Sequence, residues 1–108
     1  MSNKNIHDKG IQERIRQIEH EDRFSLLAVI PNVNYISRFN SEHDICGELD
    51  ILKLYFNGVI GIEEVKSTEK GFNKAQAQLK RAGEVFKFYN PKLATYIANK
   101  DEVIKYQR

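Results

Sequence analysis

Asp50, Glu64 and Lys66 are the residues of this chain whose types and spacing point to chemistry. Asp50 closes the run Gly47-Glu48-Leu49-Asp50. Glu64 and Lys66 lie in Gly61-Ile62-Glu63-Glu64-Val65-Lys66-Ser67. Paired carboxylates suit a hard divalent cation, which takes oxygen ligands and keeps several of its waters. Such a cation neutralises a phosphate and lowers the pKa of bound water, which phosphodiester hydrolysis needs. The expected ligands for Mg²⁺, with Mn²⁺ as its substitute, are Asp50, Glu64 and the Val65 carbonyl. Lys66 points to the same side of its strand as Glu64, where it would orient the attacking water or stabilise pentacovalent charge.

These groups meet only if the elements carrying them pair correctly. Ile45 to Tyr55 and Val59 to Ser67 read as two strands joined at Asn57-Gly58. A two-residue turn would pair Phe56 with Val59 and set Asp50 against Val65, leaving Glu64 and Lys66 on the other face. A three-residue loop, Phe56-Asn57-Gly58 with Gly58 left-handed, pairs Leu54 with Ile60, Leu52 with Ile62 and Asp50 with Glu64. A one-residue slip inverts every side chain, so the chemistry requires the odd-length loop or a bulge.

Around this hairpin, Asp8 to Glu21 reads as a helix with Ile11, Ile15 and Ile18 on one stripe. Phe24 to Ile30 reads as a strand ended by Pro31, and Pro31 to Asp44 as a polar loop. Asn73 is the expected cap of a helix over Lys74 to Tyr89, with Ala75, Leu79, Ala82 and Phe86 inward and Asn90-Pro91 as its stop. Leu93 to Ala98 reads as a strand, and Val103 to Tyr106 as a last strand or short helix. The class is α/β or α+β with a mixed sheet.

Composition narrows the alternatives. One domain of 108 residues with a net charge of +2 has no strong general attraction to nucleic acid, so a basic face must come from local clustering. Lys66, Lys70, Lys74, Lys80 and Arg81 form such a cluster, as a solvated helix face or a phosphate-contacting one. A single cysteine, Cys46, precludes an internal disulfide and suits a reducing cytosol. No apolar run reaches the roughly 20 residues of a membrane span, and no apolar leader opens the chain, so a cytoplasmic protein is expected. His43 and Cys46 lack the second ligand pair that zinc requires. His7 and His20 read as surface residues. Glu63 is expected to face away from the site, solvated or salt-bridged, and Glu48 to lie beside the metal ligands or at a solvated strand end.

Glu48-x-Asp50, then Glu64-Val65-Lys66 on the next strand, then a helix carrying Gln78-Leu79, resembles the PD-(D/E)XK nuclease superfamily. Small archaeal-type Holliday junction resolvases and their viral relatives are the most similar members. The resemblance covers roughly residues 9 to 90, with Leu49-Asp50 in place of the family's Pro-Asp. It implies a restriction-endonuclease-like core, a Mg²⁺-dependent endonuclease acting on DNA, possible preference for branched DNA, and a homodimer. It also implies a glutamate on the first helix near the metal, for which Glu13 is the candidate, although Glu13 lies about 200° from Ile11 around an ideal helix. Gln78, with Gln76 second, would support the lysine or the scissile phosphate. Lys70, Lys74 and Arg81 would contact nucleic acid. A non-catalytic nucleic-acid-binding or regulatory module on the same fold, and an RNA nuclease, are the alternative readings.

Overall fold

The computed structural model describes residues 3–36 and 45–107. It is an α+β domain whose mixed sheet lies between two helices. Helix α1 spans Asn3–Glu21, and strands β1 (Leu26–Ile36), β2 (Ile45–Tyr55) and β3 (Ile60–Lys66) follow. After helix α2 (Phe72–Val85) come β4 (Lys92–Ile97) and β5 (Glu102–Lys105). The sheet order is β1-β2-β3-β4-β5, antiparallel except for β3 and β4, which run parallel because α2 carries the chain back between them. Among the described residues no helix is long and apolar enough to cross a membrane.

Each helix has its own core. Ile11, Ile15 and Ile18 of α1 pack with Ile51, Val65 and Tyr96 on one face of the sheet. On the other, Leu79 and Ala82 of α2 pack with Tyr35, Leu49, Ile62 and Leu93. Helix α1 approaches closely because Gly10 stands over β3, where a Cβ would lie 3.2 Å from Val65 Cγ1.

The β2–β3 hairpin has the three-residue loop. Leu54 pairs with Ile60, Leu52 with Ile62 and Ile51 with Glu63. Tyr55 N–H donates to the Val59 carbonyl at 3.1 Å, and Gly58 takes φ +85°, which favours glycine.

Strand β1 departs from the sequence expectation. It starts at Leu26 and runs through Pro31 to Ile36. As an edge strand it needs only one side of its amides for pairing, so a proline whose nitrogen faces the open side costs no ladder bond. The next residue, Asn32, has φ 55°, a left-handed conformation that asparagine tolerates better than most. Residues 37–44 of the expected polar loop, His43 included, and the Cys46 side chain lie outside the described residues.

The second helix also differs at both ends. It begins at Phe72 after Gly71, so Asn73 lies inside it, while Thr68 caps the short 3₁₀ turn Glu69–Gly71. It stops at Val85 rather than Tyr89, and a 3₁₀ turn over Lys87–Tyr89 leads to left-handed Asn90. Phe86 packs edge-on to Tyr35 at 5.5 Å, whereas Phe88 and Tyr89 are exposed. The last element is a strand, paired to β4.

Candidate functional site

The site lies where two strands part. The β2–β3 pairing stops at Ile51–Glu63. One residue further, side chains take over from the ladder. The Asp50 backbone N–H donates to Glu64 Oε2 at 3.0 Å, and the Val65 N–H donates to Asp50 Oδ2 at 2.8 Å. Each carboxylate thus holds the backbone of the opposite strand, and both are buried, at 7% and 2% exposure. A strand residue's N–H and C=O point to the same side, so the Val65 carbonyl faces this gap as well.

The outer strands explain why the gap opens here. Between the pairs Pro31–Ile51 and Val33–Leu49 stand Asn32 and Asp50. On one side of that point Val29 and Ile51 pack toward α1; on the other, Val33 and Leu49 pack toward α2. All four are odd-numbered, and regular alternation would keep them on one face. The left-handed Asn32 marks the place where the strand pair turns over, and Asp50 is carried into the opening.

Electrostatics at the site oppose a second negative charge beside Asp50. Burial and the neighbouring Asp50 charge push the Glu64 carboxyl up to about 8, with a smaller contribution from Glu48. Glu48 itself is exposed, within β2 and opposite Asn34 of β1. Lys66 works in the opposite direction on Glu64. Its stem lies over Gly71, where a Cβ would be 2.9 Å from Lys66 Cγ and Cδ.

The donor set suits a hard divalent cation: Asp50, Glu64 and the Val65 carbonyl, completed by water. Among the described residues no group of three or more His, Cys, Asp or Glu side chains is placed to hold a metal ion. A cation here therefore relies on the backbone carbonyl and on water. A buried polar atom beside Glu64 fits such a wet site. Thr95 stands beside Glu64 in the β3–β4 register, fully buried, with no partner for its Oγ1 among the described residues. Gln78 and Gln76 on α2 each have a buried Oε1 without a partner among the described residues.

Glu13 is half-buried and lines a cavity with Arg16, Tyr96, Ala98 and Asp101. One sequence-derived assignment changes. The α1 side chain that reaches the site is His7, Nε2 to Asp50 Oδ1 at 3.2 Å. His7 had read as a surface residue, but it continues the stripe of Ile11, Ile15 and Ile18 one turn earlier, which is the signal that finds it. Thr95 is visible only once the β3–β4 register is known.

Glu63 faces away from the pair, toward α1, and is buried rather than solvated. Arg14 binds it through two bonds of 2.7 and 3.0 Å, and Lys53 Nζ lies at 2.7 Å. Burial pushes its pKa up, yet Arg14 and Lys53 together hold it below the usual value. Lys70, Lys74 and Arg81 are exposed, Lys70 and Lys74 on the chain that leaves Lys66. No family model, no curated protein and no solved structure matches this chain.

Proposed function

We propose that this protein is a Mg²⁺-dependent endonuclease that hydrolyses DNA phosphodiester bonds, with branched DNA as its favoured substrate. The observation that supports this most is the meeting of Asp50 and Glu64, both buried, where the β2–β3 ladder ends, two residues before Lys66. Two adjacent buried carboxylates repel each other, so a site that retains both gains from a cation. A bound divalent cation supplies charge neutralisation of the phosphate and a more acidic water.

The chain's own groups do the rest. Asp50 and Glu64 hold the cation, and the hydrogen bond from Val65 N–H fixes the Asp50 carboxylate. His7 orients the other Asp50 oxygen. Lys66 orients the attacking water and offsets charge on the phosphorus-bound oxygens. Thr95, beside Glu64 in the β3–β4 register, offers a buried oxygen to water in the same region. Lys70, Lys74 and Arg81 contact strand phosphates, which positions the substrate without reading its sequence. A twofold dimer would present two sites for paired cuts in a branched substrate.

The test is incubation with four-way, flapped, single-stranded and linear DNA, and with RNA, in Mg²⁺, in Mn²⁺ and in EDTA. The reading expects metal-dependent cutting, fastest on branched DNA, that disappears in Asp50→Asn and Lys66→Ala. Binding without cutting on every substrate would replace it with a non-catalytic nucleic-acid-binding module. Preferential cutting of RNA would replace it with a ribonuclease.

A further inference from the structure

A second cavity, of about 780 Å³, opens on the α1 face of the sheet. That volume is in the range of small-ligand sites. It does not include Asp50, Glu64 or Lys66.

Its wall is cationic by construction. The registers Lys53–Gly61 and Gly61–Lys92 set Lys53 and Lys92 in one row across β2, β3 and β4. The row beside it runs Glu63, Ala94, Lys105 across β3, β4 and β5. Arg14 comes down from α1. Gly61 keeps the first row low, since a Cβ there would lie 2.6 Å from Lys53 Cε and displace that side chain. Ala94 provides a small residue between Glu63 and Lys105.

The charges in this cavity do not fully cancel, and the excess sits on Lys92 and Lys105. Arg14 and Lys53, with side chains only 7% and 14% exposed, share the single carboxylate of Glu63. The lining as a whole holds four cations, Arg14, Lys53, Lys92 and Lys105, against three carboxylates, Glu21, Asp22 and Glu63, an excess of one, and charge in a poorly hydrated setting acts more strongly than on the surface. The other two acids at the cavity have partners other than Lys92 and Lys105. Asp22 accepts the Tyr55 hydroxyl at 2.6 Å, and Glu21 is 3.7 Å from Arg14 with its side chain 59% exposed. Lys92 and Lys105 have no carboxylate within ion-pair distance among the described residues. Val59, Pro91 and Val103 supply apolar wall.

We propose that this cavity binds a phosphate-bearing ligand, with Lys92 and Lys105 meeting the phosphate and the Arg14–Glu63–Lys53 group behind them. The phosphate belongs either to a small nucleotide or to a strand of nucleic acid. Neither source requires the carboxylate pair on β2 and β3 to be catalytic.

The test is a ¹⁵N NMR titration of the full chain in EDTA at constant ionic strength. Inorganic phosphate, a nucleoside 5′-monophosphate and a short single-stranded DNA are added in separate series. Saturable shifts are expected at the Ala94, Val103 and Lys105 amides, retained in Asp50→Asn. The ligand that saturates at the lowest concentration identifies the source. Lys92→Ala with Lys105→Ala, both exposed positions, should weaken binding about tenfold or more. Absence of saturable shifts at those amides overturns the proposal, as does an unchanged midpoint in the double variant. Shifts confined to Val65 and Lys66 also overturn it.

Discussion

Asn32 and Asp50 stand across from each other on β1 and β2, at the point where both strands turn their buried side from α1 to α2. The left-handed backbone of an exposed edge residue thereby places a buried carboxylate. Asn32→Gly should preserve stability and metal binding, because glycine adopts this φ freely. Asn32→Val should cost roughly 1–2 kcal/mol and weaken Mn²⁺ binding, since a β-branched residue resists the left-handed region. Urea denaturation and Mn²⁺ titration of the two variants check this, and equal behaviour of Gly and Val would dissociate the turn from the site.

The pH dependence of stability follows from Glu64. Its folded pKa is raised to about 8 from 4.5, so the folded state holds a proton that the unfolded chain releases. The sign is fixed by linkage: this stabilisation is fully present below about 4.5 and is lost as pH rises through about 8. In EDTA the stability should fall by on the order of a few kcal/mol as pH rises from about 4.5 to about 8, and the melting temperature should fall with it. Mn²⁺ should restore it most at the alkaline end, and Glu64→Gln should flatten both responses. Scanning calorimetry across that range is the measurement.

Lys66 should separate binding from chemistry. Lys66→Ala is expected to lower single-turnover cleavage by about 10²–10³-fold while Mn²⁺ affinity is maintained or rises, because an electrostatic stabiliser of the transition state is removed and both carboxylates are retained. A variant that lost metal affinity and cleavage in parallel would make Lys66 a structural partner of the carboxylates.

The Arg14–Glu63–Lys53 group supports the sheet from the other side. Glu63→Ala leaves Arg14 buried with its main partner gone, and should cost about 3–5 kcal/mol in urea denaturation. Arg14→Leu combined with Glu63→Leu should cost much less than the two changes summed, since the pair leaves together. Additive costs would show that Arg14 and Glu63 act independently.

Much of this architecture could be read from residue order. The hairpin was legible at Asn57-Gly58 but its register was not: residue order left two- and three-residue loops open, and only the requirement that Asp50 meet Glu64 selected the observed one. The helices followed from Ile11, Ile15 and Ile18 and from Ala75, Leu79 and Ala82. Pro31 misled because its effect depends on whether a strand is central or at an edge, a property of the sheet and not of the residue. His7 was within reach of the periodicity of Ile11, Ile15 and Ile18. The paired use of Glu63 and the isolation of Thr95 depend on contacts across β3, β4 and α1, which no local pattern carries.

A crystal soaked in Mn²⁺ tests the central claim most directly, because the anomalous signal locates the cation independently of any activity. The account predicts one strong peak between the Asp50 and Glu64 carboxylates, within coordination distance of the Val65 carbonyl, and its loss in Asp50→Asn. Saturating Mn²⁺ with no peak between those two side chains would contradict it.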